Sequence, residues 1–74
     1  MEDYKIYKIR VVFEYHELKE RIKKLHSFII SIQNGEPKYE TPTPIDILIK
    51  QENAMREYQK ALEKRAEYEN INFY

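Results

Sequence analysis

The residues least compatible with regular secondary structure are confined to one short stretch of the chain. The single glycine, Gly35, and the three prolines, Pro37, Pro42 and Pro44, all lie there. Because Gly and Pro disfavour the interior of a helix, this stretch divides the sequence into residues 5–33, a linker 34–43 and residues 44–71. A length of 74 residues predicts a single domain covering residues 1–74.

The first segment carries an unbroken heptad pattern of large side chains, here called the α1 seam. It consists of Val11, Tyr15, Leu18, Ile22, Leu25, Ile29 and Ile32. Alternating spacings of four and three place these side chains on one face of a helix, which we predict from about residue 8 to residue 33. Residues 4–12 leave an alternative open, because Tyr7, Ile9, Val11 and Phe13 alternate as in a strand and allow a separate extended or helical arm.

The second segment begins with typical helix-start residues. Thr43 is suited to cap the helix, Pro44 to the first helical position, and Asp46 to the acidic first turn. We therefore predict a second helix over about residues 44–71. Two helices joined by a short linker predict an all-α fold, an antiparallel two-helix hairpin.

Several large apolar residues of the first helix lie off the α1 seam, namely Val12, Phe13, Phe28 and Ile30. A hairpin of two helices buries one stripe on each helix, and each large apolar side chain left in water forgoes about 1.5–3 kcal/mol. The surplus predicts a homo-oligomer. The alternative interpretation is a coiled-coil or four-helix dimer without any other activity.

Composition excludes several classes of function. Thirteen basic residues against thirteen acidic ones argue against binding of long nucleic acid, and the absence of cysteine leaves two histidines as too few ligands for a closed metal site. No apolar run is long enough to span a membrane, and the acidic N-terminus does not resemble a signal peptide, so we expect a cytoplasmic protein. No catalytic constellation and no glycine-rich phosphate loop is present, so we expect neither an enzyme nor a cofactor.

Aromatic and cationic residues are the remaining candidates for ligand binding. The chain has seven tyrosines, several of them within one helical turn of Arg or Lys. Aromatic rings stack on nucleobases, and guanidinium groups pair with phosphates. Because the net charge is zero, an anionic ligand would be small and held by a few cations. For Tyr15 and Tyr58 a plain packing role on the helix face is the alternative.

Two runs of residues resemble a family of small phage hairpin proteins. They are Arg10-Val11-Val12-Phe13-Glu14-Tyr15-x-x-Leu18 continuing as Ile22-x-x-Leu25-x-x-Phe28-x-x-Ser31, and Gln51-x-x-Ala54-Met55-x-x-Tyr58-x-x-x-Leu62-x-x-Arg65. The family comprises the phage anti-CBASS and anti-Thoeris sponge proteins, with related small proteins of crAss-like phages. The resemblance covers about residues 9–66.

The resemblance implies sequestration without catalysis. Members of this family assemble as oligomers, often hexamers, and hold cyclic di- or trinucleotide messengers in pockets between subunits. They thereby keep the messenger from the immune effector in the cytoplasm of the infected bacterial host. The alternative is a protein-interaction or structural helical hairpin that has no small-molecule ligand.

The resemblance also implies ligand-binding residues. It assigns stacking on a base to Tyr15 and neutralisation of phosphate to Arg10 and Arg65. Ser31 lies where the first helix meets the loop, a region that contacts ligand in the family, and Lys38 is a further cation of that loop. The linker departs from the family pattern because it contains three prolines.

Overall fold

The protein consists of two long helices that pack side by side. The computed structural model describes residues 2–37 and 39–74, with α1 over Glu2–Gln33 and α2 over Ile45–Glu69. The start of α1 lies beside the end of α2, because the Tyr4 hydroxyl donates to the Glu69 carbonyl oxygen at 3.0 Å. Within the described residues no strand occurs. The prediction of an all-α antiparallel hairpin is confirmed, and the molecule measures 51 × 19 × 18 Å.

The α1 seam faces α2 along the whole hairpin. Five seam residues are buried, and Leu25 and Ile32 are half-buried. From α2 the buried partners are Leu48, Leu62 and Ala66. The core forms two clusters, a larger one toward the chain termini and a smaller one toward the linker. The seam predicted from sequence is therefore the interface between the helices.

The predicted start of α1 near residue 8 is wrong, and so is the alternative of a separate arm over residues 4–12. The helix runs without interruption from Glu2. The early turns have a partner in α2 that the sequence did not reveal, since Tyr4 bonds to Glu69 and Tyr7 is bonded by Arg65. These contacts support helix where the residue alternation favours strand.

A Schellman motif ends α1. Gly35 has a positive φ of 77°, and the Glu36 and Gly35 amides donate to the carbonyl oxygens of Ser31 and Ile32 at 2.9 and 3.0 Å. Glycine suits this position because it carries no Cβ that would clash in the left-handed region. The Asn34-Gly35 pair thus stops the helix at Gln33.

The start of α2 differs from the prediction. Pro44 is the N-cap residue in an extended conformation and α2 begins at Ile45, without a side-chain capping bond. Thr43 does not cap the helix. Its backbone amide donates to Thr41 Oγ1 at 3.2 Å. The Thr43 amide is thus satisfied within the Thr41–Thr43 turn. The N-cap of α2 is formed by Pro44, without a side-chain hydrogen bond.

The C-terminal residues fold back over the hairpin. Asn70 adopts a left-handed conformation with φ of 55°, and the Ile71 amide donates to the Ala66 carbonyl oxygen at 2.9 Å. Ile71 is buried beside Ala66 in the larger cluster, the apolar contact that accompanies this type of helix end. Residues 71–74, here called the tail, then lie along α1.

Part of the apolar surplus is covered within the chain. Phe28 lies off the α1 seam but is buried, and the linker residue Tyr39 stacks on its ring with centroids 4.3 Å apart. Val12 is half-buried against the larger cluster, whereas Phe13 and Ile30 are exposed. Neither helix is apolar enough over a sufficient length to cross a membrane, a finding limited to the described residues.

Candidate functional site

A groove between the helices brings aromatic and cationic side chains together. It comprises two adjoining cavities of about 410 and 440 Å³ that share Leu18, Arg21 and Tyr58. Here it is called the α1–α2 groove. Its full lining is Arg10, Phe13, Glu14, Glu17, Leu18, Arg21, Lys24, Leu25, Gln51, Met55 and Tyr58.

Helical spacing explains why these side chains meet. Arg10, Glu14, Glu17 and Arg21 follow one another at spacings of four, three and four, so they form a stripe on α1 beside the seam. From α2, Tyr58 reaches the same groove. The floor is apolar because seam residues border it, and the rim is charged because the next stripe of α1 is polar.

Two exposed rings flank the groove. Phe13 is 70% exposed and Tyr58 is 44% exposed, so both rings present part of their surface to solvent. The rings come from different helices and line the same cavity. A flat aromatic base inserted here would find two ring faces to pack against.

The groove carries three cations and two carboxylates. Arg21 is engaged with Glu17, its Nη2 lying 2.7 Å from Glu17 Oε1, and both side chains remain largely exposed. Exposed ion pairs of this kind contribute little to stability, so Arg21 is available to an anionic ligand at small cost. Arg10 and Lys24 add positive charge at the two ends of the groove.

Of the predicted site residues, Arg10 lies in this groove. Tyr15 does not. It is 3% exposed, and the ring of the tail residue Phe73 stacks on it in parallel with centroids 3.8 Å apart. The predicted stacking of Tyr15 on a base stays a prediction, and it requires Phe73 to leave that face of the ring.

Hydrogen bonds fix the environment of Tyr15. Its hydroxyl donates to Glu63 Oε2 at 2.7 Å, so the side chain links α1 to α2. Burial, together with this bond to a carboxylate, raises the pKa of Tyr15 well above its usual value. The same hydrogen bond, with a second one from Gln59, lowers the pKa of Glu63. Tyr15 is thus held as a neutral hydrogen-bond donor.

Arg65 lies at the end of the hairpin that carries the chain termini. Its Nη2 donates to the Tyr7 hydroxyl, and its Nε donates to Glu69 Oε2 at 3.3 Å. The hydrogen bonds to Glu69 and Tyr7 raise the pKa of Arg65. The guanidinium therefore joins the ends of α1 and α2 and does not line the α1–α2 groove.

Ser31 belongs to the linker end of the molecule. Ser31 Oγ donates to the Phe28 carbonyl oxygen at 2.6 Å, and Lys38 lies outside the described residues. Ser31 follows Arg10 by 21 positions on one continuous helix, a separation of about 30 Å. One small ligand therefore cannot touch both Arg10 and Ser31 of a single copy.

Sequence reasoning missed Arg21 as a site residue and treated Phe13 as part of the apolar surplus only. A signal was available in the spacing of Arg10, Glu14, Glu17 and Arg21, which parallels the α1 seam. What the sequence could not show is that Tyr58 of α2 faces this stripe. Among the described residues, no group of three potential metal ligands occurs.

Comparison with known proteins gives one clear relationship. The model of the Sequestin family matches residues 5–68, which is most of the chain and includes both helices. Searches of curated proteins and of solved structures gave no significant match.

Proposed function

This chain belongs to the Sequestin family, and on that basis we propose that it binds cyclic oligonucleotide immune messengers and holds them without cleaving them. It acts as a phage counter-defence protein in the cytoplasm of the infected bacterial host. The bound messenger sits in pockets between subunits of a homo-oligomer. The family name describes sequestration, and the residues of the α1–α2 groove support a nucleotide as the sequestered molecule.

The observation that carries the proposal is the meeting of Arg10 and Arg21 with the exposed rings of Phe13 and Tyr58 in one groove. Guanidinium groups form paired, charge-assisted hydrogen bonds with phosphate oxygens. Stacking on an aromatic side chain contributes about 1–3 kcal/mol per base. A compact molecule with both phosphates and bases is the ligand class that uses all four side chains.

A pocket between copies of the chain supports the proposal further. Each cavity of the groove is open to solvent along its length, and Arg10 lies about 30 Å from the linker end of its own helix. A second copy laid along the groove would cover the ligand and bring further side chains to it. Ser31 and Lys38 of a neighbouring copy are proposed to contribute in this way.

Sequestration needs tight binding and slow release. A bound nucleotide is removed from the effector by mass action alone, and the protein itself is stabilised by the ligand it holds. The two arginines and the lysine of the groove suit binding of phosphates, and together they outnumber its two carboxylates.

The direct test is calorimetric titration against cyclic dinucleotides, cyclic trinucleotides and a cyclic ADP-ribose, followed by chromatography of the ligand after denaturation of the protein. The proposal expects heat of binding with at least one cyclic oligonucleotide, a raised melting temperature and recovery of the ligand intact. Binding of the ADP-ribose compound alone would keep sequestration but contradict the oligonucleotide class. A cleaved product would contradict the non-catalytic proposal.

Arg21→Ala tests the groove itself. Loss of a guanidinium that pairs with phosphate should weaken binding of the responsive nucleotide by about 1.5–3 kcal/mol, at least tenfold. Lys60→Ala is the matched control. Lys60 is also an exposed cation paired within its own helix, at 3.5 Å from Glu57, and it lies outside the groove.

Equal affinity of Arg21→Ala and the parent protein would contradict the groove as the binding site. Silence across the whole nucleotide panel would instead favour the second function, a helical hairpin that binds another protein. The specific observation behind that alternative is the exposed apolar run of Ile6, Ile9 and Phe13 on α1.

A further inference from the structure

The flank of α2 next to the α1–α2 groove carries a second heptad pattern that the apolar core of the hairpin does not use. It consists of Ile47, Gln51, Ala54, Tyr58, Ala61, Arg65 and Tyr68, with spacings that alternate between four and three. All seven residues are exposed. This set is called the α2 outer stripe. The stripe extends for about 30 Å, most of the length of α2.

A heptad stripe at the surface of a helix is suited to pack against another helix. Its members alternate between small and large side chains at the centre, where Ala54 and Ala61 flank Tyr58. Phe13 of α1 lines the same cavity as Tyr58 and extends the apolar surface sideways. The exposed ring of Tyr58 therefore projects from this face as a knob, and the small side chains of Ala54 and Ala61 leave recesses on either side of it.

We infer that the α2 outer stripe binds the α2 outer stripe of a second copy of this chain in an antiparallel pair, with Tyr58 of each copy packed on Ala61 of the other. This inference rests on the oligomer in the proposed function and names the surface that forms it. The second copy then forms an additional wall beside Tyr58 in the α1–α2 groove.

Orientation follows from the residues of the stripe. In a parallel pair, identical residues lie opposite one another, so Arg65 would face Arg65 and Tyr58 would face Tyr58. Both juxtapositions are unfavourable, one by charge and one by size. In the antiparallel pair with Tyr58 opposite Ala61 of the second copy, Ala54 lies opposite Arg65, so each large side chain of the central layers meets an alanine. Gln51 then lies opposite Tyr68 in the outer layers.

Register follows from charge. Lys50, Glu57 and Lys64 recur every seven residues along one edge of the α2 outer stripe. In the proposed register Glu57 of each copy lies beside Lys64 of the other, which gives two opposite-charge contacts. Shifting the pair so that Tyr58 lies opposite Ala54 would place Glu57 beside Glu57 and Lys50 beside Lys64. Like charges oppose that register.

The charged side chains are free to make these contacts. Glu57 now lies 3.5 Å from Lys60, and Lys64 lies 3.3 Å from Glu67, in pairs within α2 whose members are about 70% exposed. Such exposed pairs contribute little. The Glu57–Lys60 and Lys64–Glu67 pairs can therefore be exchanged for contacts across the interface without a large loss of stability.

Charge reversal provides the test, by sedimentation velocity over a concentration series in the absence of nucleotide. Glu57→Lys and Lys64→Glu each create two like-charge contacts and should weaken association about tenfold. The double variant Glu57→Lys with Lys64→Glu restores both pairs with exchanged signs and should return to within about threefold of the parent protein. Lys23→Glu, on the exposed surface of α1, is the charge-matched control and should leave association unchanged.

Ala61→Arg tests the steric part of the same interface. A long side chain at position 61 would fill the recess for Tyr58 and should abolish the pair, while far-ultraviolet circular dichroism stays helical because Ala61 is exposed. A monomeric parent protein, single reversals without effect, or a double variant no better than the weaker single variant would each overturn the inference. Because no nucleotide is used, failure here is distinct from failure of the messenger-binding proposal.

Discussion

At the scale of single residues, Tyr15 is held by packing and hydrogen bonding at a position where a stacking contact with a base was predicted. Its ring is stacked on Phe73, and its hydroxyl is bonded to Glu63. The position in the α1 seam was predictable from the heptad spacing. The stacking on Phe73 was not, because it depends on where the tail turns after Asn70, and no local pattern specifies that return.

Tyr15→Phe should lower the free energy of unfolding by about 1 kcal/mol, because it removes the partly buried hydrogen bond to Glu63 and keeps the ring. It should also raise the pKa of Glu63 toward its usual value, since the bond from Tyr15 is the main cause of the present lowering. Urea denaturation and carboxyl chemical shifts in an NMR titration measure the two effects. Tyr39→Phe, at an exposed tyrosine that keeps its ring on Phe28, is the control and should change neither quantity.

At the scale of the helices, the ends of α1 and α2 are less predictable than their existence. The stop of α1 at Asn34-Gly35 follows from local chemistry. The first turns of α1 depend on distant contacts with Arg65 and Glu69, so alternation of residues 7–13 was misleading. The site shows the same limit: the polar stripe through Arg10 was readable, whereas its juxtaposition with Tyr58 required the pairing of the helices.

One polar contact between the helices makes the stability of the hairpin depend on pH. Glu52 of α2 is 12% exposed and accepts hydrogen bonds from Arg56 Nε at 2.8 Å and from His26 Nδ1 of α1 at 3.1 Å. Burial alone would raise the pKa of Glu52, but the hydrogen bonds and positive charge of Arg56 and His26 outweigh it and lower the pKa below 4.5. The charged carboxylate is therefore favoured by folding.

The sign of the effect follows from that direction. A lowered pKa in the folded state contributes stability above the unfolded-state pKa, and this contribution is lost as the pH falls through the folded-state pKa. Glu52→Gln should therefore be less stable than the parent protein at neutral pH, and the difference should vanish at an acidic pH below the folded-state pKa of Glu52. Denaturation curves at the two pH values measure it, and an equal difference at both would show that the charge of Glu52 is not responsible.

At the scale of the whole molecule, one copy of the chain covers only part of its apolar surface. The linker shields Phe28, which lies off the α1 seam, and the tail lies over the seam residue Tyr15. Ile6, Ile9, Phe13 and Tyr58 nevertheless stay exposed on the hairpin. The hairpin and an excess of apolar side chains were predictable from the sequence. Which of these side chains stay exposed depends on how the linker and the tail fold over the helices.

Native mass spectrometry of the protein mixed with a cyclic oligonucleotide that it binds is the most direct test of the central claim, that copies of this hairpin hold an intact messenger between them. The account predicts a species of two or more 9.1 kDa chains that carries the nucleotide at its unmodified mass. Nucleotide bound only to single chains, or a shifted nucleotide mass, would contradict it.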